Sequence, residues 1–299
     1  MGKIVVIGSS NTDLVVQTPN FPKPGETIIG GNLNTFAGGK GANQAVAAAR
    51  LGGSVTFIAK VGEDDFGTLA IQGFEKAKIN TKYVFKDKAT PSGVAIIMID
   101  ENGENVIVVS PGANNKLDAS DIFKAEKEIA SSNLILIQLE THIETVSYVL
   151  ELAKKLGKKV VLNPAPAQVL NEALYKNLFL ITPNETEASL LTNVEVIDEG
   201  SASKAATVLL DKGVENVIIT LGSKGAFFKN KYEEFVVESE KVEVIDTTGA
   251  GDTFNGAITV ALSEGKSFKE AIVFGNKAAG ISVTRLGAQA SVPYRKDIV

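Results

Sequence analysis

Asp252 stands inside the run Asp246-Thr247-Thr248-Gly249-Ala250-Gly251-Asp252-Thr253, which flows into the apolar stretch Ala257-Ile258-Thr259-Val260-Ala261-Leu262. Gly249 and Gly251 let the backbone turn tightly, and the stretch behind them predicts a helix whose first N–H groups have no intrahelical partner. Those donors, with a helix-start partial charge of roughly +0.5, suit a transferring phosphoryl group and keep the Asp252 carboxylate ionised. An ionised carboxylate there can take a proton from a hydroxyl. A plainer role, Asp as a helix cap after a Gly-rich turn, explains an isolated Gly-Asp-Thr but not the whole run.

A second Gly-rich turn, Gly38-Gly39-Lys40-Gly41, opens an Ala-rich helix that begins Ala42-Asn43-Gln44 and stops at Gly52-Gly53. Small residues let a ligand approach, and Asn43 can donate to and accept from hydroxyls. Close packing of the helix on a sheet would ask for the same alanines. Lys40 suggests a phosphate loop, but the pattern G-x-x-x-x-G-K-[ST] is not met, and Gly8-Ser9-Ser10-Asn11 lacks the later glycines of a dinucleotide fingerprint. Asn11 and Asp13 follow the first strand. A carboxylate accepting from two neighbouring hydroxyls fits a vicinal diol, and an Asx turn is the local alternative. In Pro183-Asn184-Glu185-Thr186-Glu187, Asn184 can cap the next helix, and Glu187 can hold hydrated magnesium near nucleotide phosphates. Thr220-Leu221-Gly222-Ser223-Lys224-Gly225 ends another strand in a turn suited to backbone contact with a nucleotide.

Groups like these need a scaffold to hold them. Val/Ile-rich runs at 4–7, 55–61, 134–139, 159–163, 179–182 and 217–221 alternate with helical patterns at 42–51, 66–77, 143–156, 203–212 and 268–283. That alternation predicts an α/β fold, a mostly parallel sheet with helices on both faces and ligands at the carboxyl ends of its strands. Segments 13–36 and 91–110 break the rhythm. In the second, 92–99 and 106–109 flank Asp100-Glu101-Asn102-Gly103, a hairpin whose Asn-Gly pair suits positive φ angles. Four short strands from the two insertions predict a small sheet, a lid over the site. Its apolar face needs a partner, which predicts a homodimer of two packed lids.

With 299 residues, 44% apolar and 22% charged, the chain reads as a globular enzyme. A net charge of −5 gives a nucleic-acid partner no electrostatic support. The absence of cysteine excludes disulfides, thiolate metal sites and a Cys nucleophile. His142, the only histidine, lies in Glu140-Thr141-His142-Ile143-Glu144 with no nucleophile elbow in view, against a Ser-His-Asp triad. No stretch reaches the ~18 apolar residues of a membrane span, and the start lacks a signal-peptide pattern. The expected address is cytoplasmic, without a membrane partner.

Together these runs resemble the ribokinase (pfkB) family of carbohydrate kinases over 4–294, Gly38-Gly39-Lys40-Gly41-Ala42-Asn43 being similar to its first signature and the Asp246 to Thr253 run to its second. The resemblance implies a three-layer α/β/α sandwich, one unit over 1–299 with the lid on insertions 13–36 and 91–110. It implies ATP-dependent phosphorylation of D-ribose at O5, with Asp252 as base and the N–H groups of Gly249, Ala250, Gly251 and Asp252 on the migrating phosphoryl. Asn11, Asp13, Gly38, Gly39, Asn43, Glu140 and Asp252 would meet the sugar. Asn184, Thr220, Gly222, Ser223, Gly225, Gly251, Asp252 and Asn276 would meet ATP, and Glu187 would act in the magnesium (Mg2+) shell. Asp246, Thr248, Ser282, Arg285, Gly287 and Ser291 match a potassium (K+) site, several through backbone carbonyls. Rivals are a relative acting on fructose, 2-keto-3-deoxygluconate or a nucleoside, and a non-catalytic sugar-binding protein of the same fold. Asp252 beside Gly249 and Gly251 argues against the latter. The only arginines, Arg50, Arg285 and Arg295, lie outside the expected sugar contacts, against a sugar-phosphate substrate.

Overall fold

In the first strand Val5 and Ile7 belong to one apolar cluster and Ile4 and Val6 to another, all four buried, so this strand is sandwiched between two layers. The same alternation holds in the neighbouring strands. The computed structural model describes residues 2–298 and contains thirteen strands among them. They are β1 Lys3–Ile7, β2 Asn11–Gln17, β3 Leu33–Gly38, β4 Ser54–Gly62, β5 Asn80–Asp87, β6 Gly93–Ile99, β7 Asn105–Ser110, β8 Leu134–Ile137, β9 Lys159–Leu162, β10 Leu180–Ile181, β11 Asn216–Thr220, β12 Ala226–Asn230 and β13 Glu234–Val237.

Nine form one sheet in the order β13-β12-β11-β10-β9-β8-β1-β4-β5, parallel except at β11–β12 and β12–β13. The helices Ile143–Lys155 and Glu199–Asp211 cover one face, and Lys40–Arg50, Ala250–Ser263 and Phe268–Ser282 the other. This is the expected three-layer arrangement. Strands β5 and β13 carry no long Val/Ile-rich run because they are the sheet edges and mix polar with apolar residues, and β12 between β13 and β11 buries Ala226, Phe227 and Phe228 instead.

Two helices approach through small residues. A Cβ on Gly256 would lie 2.6 Å from Ala47 Cβ and 2.9 Å from Ala48 N, so the helices Lys40–Arg50 and Ala250–Ser263 touch nearly backbone to backbone. One turn back from these contacts stand Asn43 and Gln44 on one helix and Asp252 on the other.

The remaining four strands form a second sheet, β3-β2-β6-β7, with β2 and β6 parallel and the outer pairs antiparallel. Its hairpin differs from the expected turn. Gly103 N donates to Asp100 O at 3.1 Å and only Gly103 has positive φ, while Asn102 N is drawn to Asp100 Oδ1 at 2.9 Å. The Asp100 side chain therefore fixes a four-residue turn in which one left-handed residue suffices.

Candidate active site

Strand ends supply one half of the site. Register aligns Ile137 with Leu162 and Leu162 with Ile181, so the residues just beyond them, Gln138, Asn163 and Thr182, emerge side by side at the carboxyl edge. Glu140 and Asn184 follow on the same edge, and Thr220 ends β11. That is where an open α/β sheet presents ligand-binding groups.

Helix starts supply the other half. Gly249 has φ 74°, the left-handed region, and precedes the first residue of the helix Ala250–Ser263 with no side-chain cap. A Cβ there would also lie 3.0 Å from Ala288 Cα. Gly251, one turn position on, has no protein atom within 4 Å of the place its Cβ would occupy, so nothing in the packing requires glycine there. Open space above an uncapped helix start suits an anion brought against the Gly251 and Asp252 N–H groups. The Ala250 N–H is turned to Thr247 O at 3.2 Å.

Asp252 is buried between the two helix starts. Asn43 Nδ2 donates to Oδ2 and Gln44 Nε2 to Oδ1, both at 2.9 Å. Burial pushes the Asp252 pKa above the usual carboxylate range, while Lys40 and the two amide donors pull against it. The buried Asn43 Oδ1 has no partner among the described residues, an acceptor left for a hydroxyl.

Asn11 and Asp13 lie in β2 rather than in an Asx turn. Asn11 Oδ1 accepts from Asn114 Nδ2 at 2.7 Å, which leaves its own NH2 as donor. A Cβ on Gly38 would lie 2.3 Å from Asp13 Oδ2, so glycine makes room for that carboxylate, and Gly39 precedes the helix Lys40–Arg50. Glu140 Oε2 accepts from Ser9 Oγ at 2.6 Å and from Lys40 N at 2.9 Å. Burial, then repulsion from Glu140 and Asp252, raises the Asp13 pKa to about 6. Burial alone would lower the Lys40 pKa, but Asp252, Glu140, Glu187 and Asp13 outweigh it and the pKa rises. Sequence reasoning passed over this lysine because it asked only for the Walker pattern. Its signal was the surplus of acids at neighbouring strand ends. Gln44 was missed too, although it sits beside Asn43 in the same motif.

A cavity of about 200 Å³ collects Lys40, Asn184, Glu187, Thr220, Gly251 and Asp252. Asn184 and Glu187 form a capping box, Asn184 Oδ1 accepting from Glu187 N at 2.8 Å and Glu187 Oε2 from Asn184 N at 2.9 Å. Gly222 and Ser223 lie on the exposed turn after β11, and Gly225 closes it at φ 101°. A second cavity, about 250 Å³, lies along Glu238, Val242, Asn276 and Gly280. There Asn276 Nδ2 donates to Val237 O at 2.9 Å.

Asp246 ties two loops together, Oδ1 accepting from Thr248 N at 2.9 Å and Oδ2 from Gly287 N at 2.8 Å. The Ser282 and Ser291 hydroxyls donate to Ala279 O and Ala288 O, and the Arg285 guanidinium faces Asp297 at 3.7 Å. Arg285 can offer an ion only its backbone carbonyl, while the two serine hydroxyls, having donated their hydrogens, keep oxygen lone pairs beside their carbonyls. One acid amid carbonyls suits a monovalent cation. No group of three or more His, Cys, Asp or Glu side chains converges among the described residues, so a divalent ion beside Glu187 fits only as a hydrated one carried largely by phosphates. His142 caps the helix Ile143–Lys155, exposed and apart from these groups.

The sequence profile of the pfkB family carbohydrate kinases matches residues 1–295. A ribokinase of Haemophilus influenzae is 49% identical over 294 residues, 98% of this chain and 96% of its own length. Among solved structures, a ribokinase of Thermotoga maritima shares 42% identity with TM-score 0.91, covering 100% of this chain and 98% of its own. The ribokinase of Arabidopsis thaliana complexed with ribose and ATP has TM-score 0.93 at 33% identity, covering 99% and 97%.

Proposed function

Because the chain belongs to the pfkB family of carbohydrate kinases, we propose that it transfers the terminal phosphoryl group of ATP to O5 of D-ribose, giving ribose 5-phosphate and ADP. The observation that carries this reading is the Asp252 carboxylate, buried at an uncapped helix start, held by Asn43 and Gln44, and lining one cavity with Lys40, Glu187 and Gly251.

Asn11, Asp13, Gly38, Gly39, Asn43 and Glu140 hold the sugar. Asp13 accepts from two adjacent hydroxyls, and the free Asn43 Oδ1 accepts from a third group. The O5 proton passes to Asp252 as O5 bonds to phosphorus and the bond from phosphorus to the ADP oxygen breaks. Burial raises the proton affinity of Asp252, which helps it act on a weakly acidic alcohol. The N–H groups of Gly251 and Asp252 and the Lys40 ammonium stabilise charge on the phosphoryl oxygens. Asn184, Thr220, Gly222, Ser223, Gly225 and Asn276 line the path of the nucleotide.

Magnesium, when bound, neutralises phosphate charge, and the Glu187 oxygen outside the capping box is the one left to reach its water shell. Asp246, Thr248, Ser282, Arg285, Gly287 and Ser291 would hold a monovalent ion, whose positive charge would lie close to the cradle because Gly249 packs on Ala288. No helix is long and apolar enough to cross a membrane. A cytoplasmic address is consistent with the need for ATP.

The second sheet, on insertions 13–36 and 91–110 of one unit spanning 1–299, works as a lid that excludes water, which would otherwise compete for the phosphoryl. Paired residues share a sheet face. Asp13 therefore shares its face with Ala95 and Val109, whereas Leu33, Ile96, Val106 and Val108 lie on the other. Those four are exposed, and a second lid covers them in a homodimer.

A coupled assay with ATP over ribose, fructose, 2-keto-3-deoxygluconate and adenosine, with and without potassium, tests the reading. Highest kcat/KM on ribose is expected, and preference for another substrate overturns it.

A further inference from the structure

Gln44, the fifth residue of the helix Lys40–Arg50, is fully buried, and both the nitrogen and the oxygen of its amide have partners. Nε2 donates to Asp252 Oδ1 and to Asn163 Oδ1, both at 2.9 Å, and Oε1 accepts from Gln138 Nε2 at 2.6 Å. Asn163 Nδ2 continues the chain to Thr182 O at 3.1 Å. An ionised carboxylate can only accept, so Asp252 dictates which way the Gln44 amide faces, and the carbonyl must then meet the Gln138 donor. The other members are anchored at the ends of β8, β9 and β10, three strands locked by register.

We infer that Gln44 is a positioning residue that aims Asp252 and sets its basicity from behind, an inference that rests on Asp252 being the base. Filling this space would not need an amide. Its neighbours Ala45, Ala47 and Ala48 are apolar and buried, and a buried amide is unfavourable unless satisfied. What the amide adds is a donor to the ionised form, which opposes the effect of burial. It also occupies Oδ1, leaving Oδ2, on the Asn43 side, to face the sugar.

The test is the pH profile of kcat at saturating ribose and ATP for Gln44→Met and Gln44→Glu. Turnover needs ionised Asp252, so the rate falls as pH drops through its pKa. Loss of the donor moves this acid limb upward by about one pH unit in Gln44→Met, a tenfold change in proton affinity. The shift is larger in Gln44→Glu, where a like charge faces the carboxylate. The KM for ribose stays within about threefold, since sugar contacts are untouched. An unmoved limb, or an even loss of rate at all pH values, overturns the inference. Should neither variant fold, Gln138→Leu carries the same readout, because it removes the Nε2 donor that holds the Gln44 carbonyl and so loosens the amide. Asp252→Asn separates the premise from the inference. If it retains turnover both fail, and if it is inactive while Gln44→Met keeps the wild-type limb, only the role of Gln44 fails.

Discussion

Around Asp252 both carboxylate oxygens are held by amides on a helix that touches its own through Gly256, whereas on the lid Leu33, Ile96, Val106 and Val108 stand 40% to 64% exposed. The cradle is dense and polar, with both Asp252 oxygens paired and the Asn43 Oδ1 acceptor left open. The lid is a four-stranded sheet whose strand β7 is exposed along its whole length. Charge that must meet a transition state is best preorganised, because reorganising dipoles during reaction costs free energy. A surface that must open, close and find a partner needs the opposite, few internal contacts and apolar area to bury. Asn11 and Asp13 stand where the two regimes meet, at the start of the lid strand β2, separated by three residues from the end of β1 of the central sheet.

Substitutions at the two places should therefore fail differently. The largest effect is expected from Asp252→Asn, with kcat lowered by about two to four orders of magnitude and ribose binding by calorimetry roughly intact.

The two cradle glycines divide stability from rate. Gly251→Ala meets no protein atom and replaces a helical glycine, so denaturant unfolding should show equal or slightly higher stability, by up to about 1 kcal/mol. Its turnover should still fall roughly tenfold or more as the methyl crowds the phosphoryl site. Gly249→Ala must hold φ 74° against Ala288 and should cost about 1–3 kcal/mol of stability. Equal losses of stability in both variants would erase the distinction between a structural and a chemical glycine.

Asp13 sharpens the boundary. With its pKa near 6, it accepts from two hydroxyls only above that pH, so the ribose KM should rise roughly tenfold per unit below it. Asp13→Asn should bind ribose weakly at every pH and flatten the curve. The sign for stability is opposite to that of an ordinary paired carboxylate. The native chain holds a proton that the unfolded chain releases between the usual carboxylate range and 6, so the ligand-free protein loses stability as pH rises through that window. Titration of unfolding free energy across it checks the direction. The smallest effect on chemistry belongs to Val108→Lys. Sedimentation should find monomers while kcat changes by a few-fold at most, and a dimer that persists would move the interface off this face.

Much of this was legible from residue types. Buried strands announce themselves as Val/Ile runs because both faces are covered, and the cradle announces itself because glycine, helix start and carboxylate must be consecutive. Strands β5 and β13 were hidden because edge strands mix polar with apolar residues, and β12 because its buried residues are Ala226, Phe227 and Phe228 rather than a Val/Ile run. The Asn102 turn misled because a side-chain contact from Asp100 replaced the second positive φ. Lys40 and Gln44 were hidden for a deeper reason. Their roles depend on partners distant in sequence, such as Gln138 for Gln44, 94 residues away, and Asp252 for Lys40, 212 residues away, brought together only by sheet register and helix packing.

The central claim, that one helix start both holds the migrating phosphoryl and deprotonates the sugar, is tested most directly by a structure of the protein with ribose and a non-hydrolysable ATP analogue. The account predicts the ribose 5-hydroxyl within hydrogen-bond distance of Asp252 and the terminal phosphoryl against the Gly251 and Asp252 N–H groups. Ribose bound with its 5-hydroxyl turned from Asp252, or a phosphoryl group lying away from Gly251, would contradict it.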